Sequence, residues 1–273
     1  MNKFSLLASS IYFASVIASA NAATLVAHWA LEEGTGTTAN DTSGNGLTGT
    51  IAGGGDPWIN SGLPPVPSGT TAAVDFDGID DQINVVGYKG ITGTADRSVS
   101  AWIRTTNVGT GQNMGIVSWG QNTGGQKWTF RVQSGNGTPG TIRIEVNGGF
   151  FVGNTVVTDG EWHHVAVTWA NDGSPDVIDA SLYVDGILDA RLGSATPPSA
   201  SQSRAMNTAS FADVRIGDNF QATHNWNGSI DDVRIYDGAL TDSEVAALAG
   251  IPEPSATIFA AFALGLLALR RRR

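Results

Sequence analysis

The sequence predicts an all-β domain of two antiparallel sheets packed face to face, closed by one short C-terminal helix. Three observations lead there. Between residues 24 and 236, β-branched and aromatic residues recur at every second position, the period of a half-buried strand. The 35 glycines of the chain supply the turns between these runs. No helical periodicity separates them, which excludes the crossovers of a parallel α/β sheet.

The strands follow in order. Leu25, Ala27 and Trp29 open the series, and residues 72–76, 82–86, 98–104, 114–119 and 127–132 continue it. Residues 142–146 run into Asn147-Gly148 and then 150–152, a hairpin whose central pair tolerates the positive φ of a tight primed turn. Tyr183-Val184-Asp185-Gly186-Ile187-Leu188 repeats the device. The predicted strands number roughly a dozen. Residues 53–71 and 193–210, rich in Gly, Pro and Ser, read as surface loops. At the end, Thr241 and Glu244 form a capping box, Leu240 and Val245 hold hydrophobic-staple positions, and Gly250 with Pro252 supplies the stop.

Both termini lie outside this domain. Lys3, an apolar run over 4–18 and Ala20-Asn21-Ala22 have the order of a secretory signal peptide, residues 1–22, with cleavage after the small residues Ala20 and Ala22. At the other end Pro252-Glu253-Pro254 precedes an apolar segment, 256–269, and then Arg270, Arg271, Arg272 and Arg273. Fourteen helical residues rise about 21 Å, short of the hydrocarbon core of about 30 Å, so a transient membrane anchor is expected, its arginines held on the cytoplasmic side. This tail resembles the PEP-CTERM sorting signal of Gram-negative bacteria. The resemblance implies an exosortase-type membrane transpeptidase as partner. An ordinary single-pass tail anchor is the alternative. The organisation expected is a signal peptide (1–22), a domain (23–250) and a sorting segment (251–273). The protein is accordingly expected to be exported, first tethered to the inner membrane and then at the envelope, outer surface or extracellular matrix.

Without Lys3, Glu253 and the four terminal arginines, the 15 basic and 25 acidic residues become 10 and 24, a net charge of −14. Such a surface repels nucleic acid and attracts cations. The chain has no cysteine, so a core or a bound ion must supply what disulfides do in other exported domains.

Four ordered motifs carry a second resemblance: His28-Trp29-Ala30-Leu31-Glu32-Glu33-Gly34-Thr35-Gly36 with Asp41-Thr42-Ser43-Gly44-Asn45-Gly46; Phe76-Asp77-Gly78-Ile79-Asp80-Asp81; Gly160-Glu161-Trp162-His163-His164 with Leu182-Tyr183-Val184-Asp185-Gly186; and Trp226-Asn227-Gly228-Ser229-Ile230-Asp231-Asp232-Val233-Arg234-Ile235-Tyr236. Together they resemble the bacterial laminin-G-like, concanavalin A-like domains. The resemblance implies a jelly-roll sandwich. Such domains bind glycans, mediate adhesion or protein contacts, or accompany enzymes, so fold alone does not choose among these roles.

Calcium is the candidate cofactor, because glycine-rich acidic loops offer the oxygens a hard cation needs. Counting by twos from Val233 and Ile235 puts Asp231 on the inward side, where a buried carboxylate needs a partner. The resemblance implies a calcium site where first and last strands meet, which maps onto Asp41, Asn45 and Asp231. Asp77 and Asp81 form a second cluster, while Asp80, adjacent to Asp81, is expected to diverge from it. Asp41 and Asn45 can equally serve as turn-forming side chains. His163 and His164 are neighbours on one strand, so they face opposite ways and cannot share a metal.

Trp29, Trp102, Trp162 and Trp169 fall in alternating apolar patterns and are expected in the core. Trp58, Trp128 and Trp226 are looser. Of these, Trp58, and Trp226 with Asn225, are candidate glycan-binding residues, an indole face for a sugar ring beside amides for its hydroxyls. Loop packing is the competing role. No pair of acids has the arrangement of a glycosidase, and the alternating Glu, Asp and Glu of concanavalin A-like glucanases is absent. The expected function is non-catalytic binding or adhesion to a glycan or surface exopolysaccharide; the alternatives are a polysaccharide-degrading enzyme and a purely structural matrix protein. The sorting step has its own check: Glu253→Ala is expected to leave the tail uncut, and an unchanged mature mass in that variant would contradict it.

Overall fold

The computed structural model describes residues 22–108, 113–220 and 224–252. Ala20, Glu253, Pro254, the 256–269 segment and Arg270, Arg271, Arg272 and Arg273 lie outside the described residues. Among the described residues no helix is long and apolar enough to cross a membrane.

The chain runs β1 (Thr24–Trp29), β2 (Thr38–Ala39), β3 (Gly49–Ala52), β4 (Trp58–Ile59), β5 (Ala73–Asp77), β6 (Gln82–Val85), β7 (Arg97–Arg104), β8 (Gly115–Gly120), β9 (Lys127–Val132), β10 (Thr141–Glu145), β11 (Phe150–Val156), β12 (Trp162–Trp169), β13 (Ala180–Val184), β14 (Ile187–Arg191), β15 (Ala200–Gln202), β16 (Ala212–Ile216), β17 (Asn227–Asp237) and α1 (Asp242–Leu248). One sheet of eight strands has the order β14-β13-β12-β7-β17-β5-β4, with β1 also paired to β17. The other, of nine, runs β15-β11-β10-β9-β8-β16-β6-β3-β2. This is the predicted antiparallel sandwich, a jelly roll. The strands beyond the expected dozen are short. β4 and β15 lie inside the two predicted loops, where they add edge strands against β5 and β11.

Inner-face side chains of both sheets merge into one apolar layer. Val99, Ala101 and Ile103 of β7 meet it from one side, and Trp128, Phe130, Ile142 and Ile144 of β9 and β10 from the other. Trp119 and Trp128 stack at 5.6 Å. One cation enters this layer. Arg97, fully buried, sits 5.2 Å from the Trp128 ring and 5.6 Å from that of Trp169. It donates to the carbonyls of Ile91, Gly93 and Ala95 and to Thr208 Oγ1. Burial lowers its pKa to about 9, which leaves it charged at neutral pH. It thereby ties the loop before β7 to the core.

The local signals hold where they are local. Asn147 and Gly148, with φ of 56° and 87°, turn the β10–β11 hairpin, and Asp185 and Gly186, at 51° and 74°, turn the β13–β14 hairpin. The capping box of α1 is complete, Thr241 accepting from the Glu244 amide and Glu244 from that of Thr241. Seven residues are too few for a helix to stand alone. Packing holds it: Val245 and Leu240 bury against Ala166, Tyr183 and Tyr236 on the outer face of the eight-stranded sheet. Full burial of Val245 contributes about 2 kcal/mol. Asp242 adds bonds from Tyr183 Oη, 2.7 Å, and Arg191 Nη2, 2.6 Å.

Three expectations need correction. Trp102 is buried, but on the outer face and not between the sheets, because β7 spends its inward positions on Val99, Ala101 and Ile103; its ring meets that of His164 at 5.5 Å. Trp162, at the start of β12, is half-buried, donating to the Gly62 carbonyl beneath the Arg104 guanidinium. Asp231 also faces outward, paired with Trp102 while Ile230 pairs with Ile103. The cause is a bulge at Asp232, φ 48°, which adds one residue and inverts the count back from Val233.

Candidate functional site

On the nine-stranded sheet, Trp128, Phe130 and Val132 of β9 and Ile142 and Ile144 of β10 point inward. Lys127, Thr129 and Arg131, and Arg143 and Glu145, therefore face outward. Charges on an outer face are ordinarily solvated. Here Lys127, Arg131 and Arg143 keep only 2%, 3% and 6% of their exposure. All three close on one carboxylate: Lys127 Nζ lies 3.0 Å from Glu145 Oε1, and Arg143 Nη2 lies 2.9 Å from Oε2, which Arg131 Nη2 also contacts. Phe150 lies against the Arg143 guanidinium, 4.0 Å from ring centre to carbon. Burial opposes ionisation of Glu145, but Arg131, Lys127 and Arg143 outweigh it and hold its pKa at about 2. Burial also lowers Arg143, to about 10, and moves Lys127 and Arg131 in the same direction.

Strand register extends this cluster into a row. Phe150 pairs with Glu145, Glu145 with Thr129, Thr129 with Ser118, Ser118 with Arg215, Arg215 with Asn84 and Asn84 with Thr50. One line of outward side chains thus crosses from β11 to β3. On the β16 and β6 side it borders a groove of about 430 Å³ lined by Ile79, Asp80, Gln82, Arg215, Asp218, Phe220 and Asn225. Arg215 pairs with Asp218 at 2.6 Å and stands 5.1 Å from the Phe220 ring. His224 is bonded to Asn219 at 3.1 Å; burial, then the charges of Arg131 and Lys127, lower its pKa. This row was not singled out in the sequence analysis. The signal was present: Lys127, Thr129 and Arg131 alternate with Trp128 and Phe130, and Arg143 and Glu145 flank Ile144, so all five share a face.

Of the predicted ligand residues, Asn225 lines the groove and donates to the Ile79 carbonyl. Trp58 is half-buried, its indole N–H on the Gly36 carbonyl at 2.8 Å. Trp226 is fully buried within the core, so it has no face to offer a sugar. Trp128 is likewise core.

The candidate metal ligands divide. Asp41 accepts from the amides of His28, Ser43 and Leu47 and from Ser43 Oγ; burial works against its charge, but these bonds hold its carboxyl below the ordinary range. Asn45 is exposed and donates to the Val26 carbonyl at 2.8 Å. Asp231 sits on the outer face of the other sheet, where Thr70 Oγ1 donates to Oδ2 at 3.1 Å and Oδ1 has no partner; burial pushes its pKa up to about 8. Asp41 and Asn45 share the Ser43 hydroxyl as a bonding partner, whereas Asp231 is bonded by Thr70 instead. Asp77, Asp80 and Asp81 do come together, each offering an oxygen within 4.8 Å of the others. The expected divergence of Asp80 from Asp81 fails because both stand where the chain turns between β5 and β6, after Gly78 at φ 80°. Burial raises the Asp81 carboxyl, and Asp77, Asp80 and Asp75 raise it further. Oxygens at this spacing fit a hard divalent cation. His163 and His164 pair with Ile103 and Trp102, hence lie on opposite faces.

The cluster on Glu145 gives stability a defined pH dependence. Its folded pKa, about 2, lies below the ordinary 4.5, so its contribution is complete above pH 4.5 and lost as pH falls toward 2. Glu145→Gln is expected to cost roughly 3 kcal/mol at neutral pH and to flatten this acid limb. Denaturation curves across that range check it, and a variant whose curves run parallel to wild type would contradict it.

The family described as the concanavalin A-like lectin/glucanases superfamily matches residues 77–246. No match was found among curated proteins. Among solved structures, domain 4 of AbnA, a GH43 extracellular arabinanase from Geobacillus stearothermophilus in complex with arabinotriose, has a TM-score of 0.60 at 20% identity, covering 84% of this chain and 100% of that one. The binding domain of Paraclostridial Mosquitocidal Protein 1 gives 0.53 at 17%, covering 83% and 52%. The receptor binding domain of botulinum neurotoxin type G gives 0.52 at 17%, covering 84% and 51%. The chain thus matches about half the length of these toxin domains, and at such identities the likeness is one of fold. With the family match spanning more than half its length, the chain belongs to the concanavalin A-like lectin/glucanase superfamily.

Proposed function

We propose that this domain is a non-catalytic glycan-binding module, displayed outside the cytosol, that receives its ligand on the outer face of the nine-stranded sheet. The observation that carries the reading is the polar row from Glu145 to Asn84 running beside the groove lined by Phe220, Arg215 and Gln82. Sugars are bound by such mixtures, amides and charged groups for hydroxyls and an aromatic face for the apolar side of a ring. The complex of the arabinanase domain with arabinotriose supports a sugar as the ligand class.

Two acids of this face, Glu145 and Asp218, are poorly suited to glycoside hydrolysis. A general acid there needs a raised pKa. Glu145 is instead held ionised by three cations, and Asp218 is engaged by Arg215. We assign to Asp77, Asp80 and Asp81 a divalent cation, calcium by the hardness of its ligands, which would relieve their mutual repulsion and brace the loop that carries Asp80 into the groove.

A glycan array probed with and without calcium tests both parts. Wild-type protein is expected to bind at least one polysaccharide class, about tenfold more weakly after chelation or in Asp80→Asn. Phe220→Ala is expected to weaken binding with little change in melting temperature. Full-strength binding by Phe220→Ala, or turnover of the bound glycan, would overturn the reading.

A further inference from the structure

The cations around Glu145 outnumber what that carboxylate can neutralise. Three positive groups face one negative group, leaving an excess of two charges at a withdrawn spot of a domain that is otherwise strongly acidic. A buried charge without a counter-charge is costly, and one cation would have sufficed to pair Glu145. All three bond Glu145, yet one carboxylate offsets only one of the three positive charges, so two remain without a counter-charge at this spot. The cluster has donors to spare: Arg131 Nη1 and Arg143 Nε are buried without an acceptor, as is the hydroxyl of Thr129. Arg131 and Arg143 are register partners on adjacent strands, so their unused edges belong to neighbouring positions of one face. Thr129 sits one step along the row, opposite Glu145.

We infer that Lys127, Arg131 and Arg143 form a subsite for an oxyanion carried by a sugar, so that the ligand is an acidic glycan bearing carboxylate or sulfate groups. The inference rests on the glycan-binding reading above and narrows it. Guanidinium groups match such oxyanions because their planar forks give two parallel charge-assisted bonds. The Thr129 hydroxyl, which both donates and accepts, lies on the same face and is likewise buried without a partner. The position on the row matters as well. β9 and β16 are separated only by β8, so the subsite lies two strand spacings, about 10 Å, from the strand of Arg215, roughly two sugar units along a chain. The unpartnered groups of the subsite are closed to solvent, so an oxyanion projecting from a ring reaches them only as the side chains that cover them shift. Surface attraction cannot explain them, because the surrounding field of the chain is negative.

Calorimetric titration of the intact protein tests this with four probes: an oligogalacturonate, a sulfated oligosaccharide, a neutral arabino-oligosaccharide and inorganic sulfate. At least one acidic oligosaccharide is expected to bind tenfold or more tighter than the neutral one. Which of the two wins identifies the oxyanion as carboxylate or sulfate. Arg143→Gln is expected to bring the acidic-to-neutral ratio close to one. Should that variant not fold, the wild type still decides: raising salt from about 50 to about 500 mM is expected to weaken acidic binding several-fold and leave neutral binding nearly unchanged. Equal affinity for acidic and neutral sugars, with equal salt dependence, overturns the subsite while leaving glycan binding intact. Binding of inorganic sulfate with no binding of any oligosaccharide overturns both.

Discussion

Each strand of this domain sends alternate side chains into one apolar layer shared by two sheets, and that constraint decides where every other residue must stand. Whatever lies between the inward positions is forced outward. On the eight-stranded sheet part of the outer face is sealed by α1, with Val245 and Leu240 set on Ala166, Tyr183 and Tyr236. On the nine-stranded sheet the outward positions hold hydroxyls, amides and charges, and the chain withdraws several of them from solvent. Fold and candidate site are thus the two sides of the same strands: Trp128 and Phe130 build the interior, while Lys127, Thr129 and Arg131 build the face behind it.

How much of this was legible depended on how local the signal was. Hairpins at Asn147-Gly148 and Asp185-Gly186, and the cap at Thr241 and Glu244, are set by dihedral preferences and bonds within a few residues. These read directly. Apolar alternation located the long strands but not their facing, since Trp102 looks like a core residue until the neighbouring Ala101 and Ile103 are known to occupy the inner positions. Asp231 was misplaced by a single bulge at Asp232, which no composition announces. Trp226 stands among polar neighbours in sequence yet closes the core, because burial depends on contacts far along the chain.

The candidate site was legible only in part. Asn225 and the pair Asp77 and Asp81 were singled out by residue type. The basic cluster was not, because its members come from two strands and acquire meaning only when register sets Arg131 beside Arg143 and Thr129 beside Glu145. Electrostatics then separates supporting from available groups. Glu145 and Asp218 are fully engaged, whereas Arg131, Arg143 and Thr129 retain unused bonding capacity. The proposed glycan-binding role rests on that division of labour.

The most direct test is a crystal structure of the protein with an acidic oligosaccharide bound. The sugar is expected on the outer face of the nine-stranded sheet, its oxyanion within hydrogen-bond distance of Arg131 or Arg143 and its rings running past Ser118 toward Arg215. A sugar seated on the eight-stranded sheet, or held by loops with Arg131 and Arg143 still unpartnered, would contradict it.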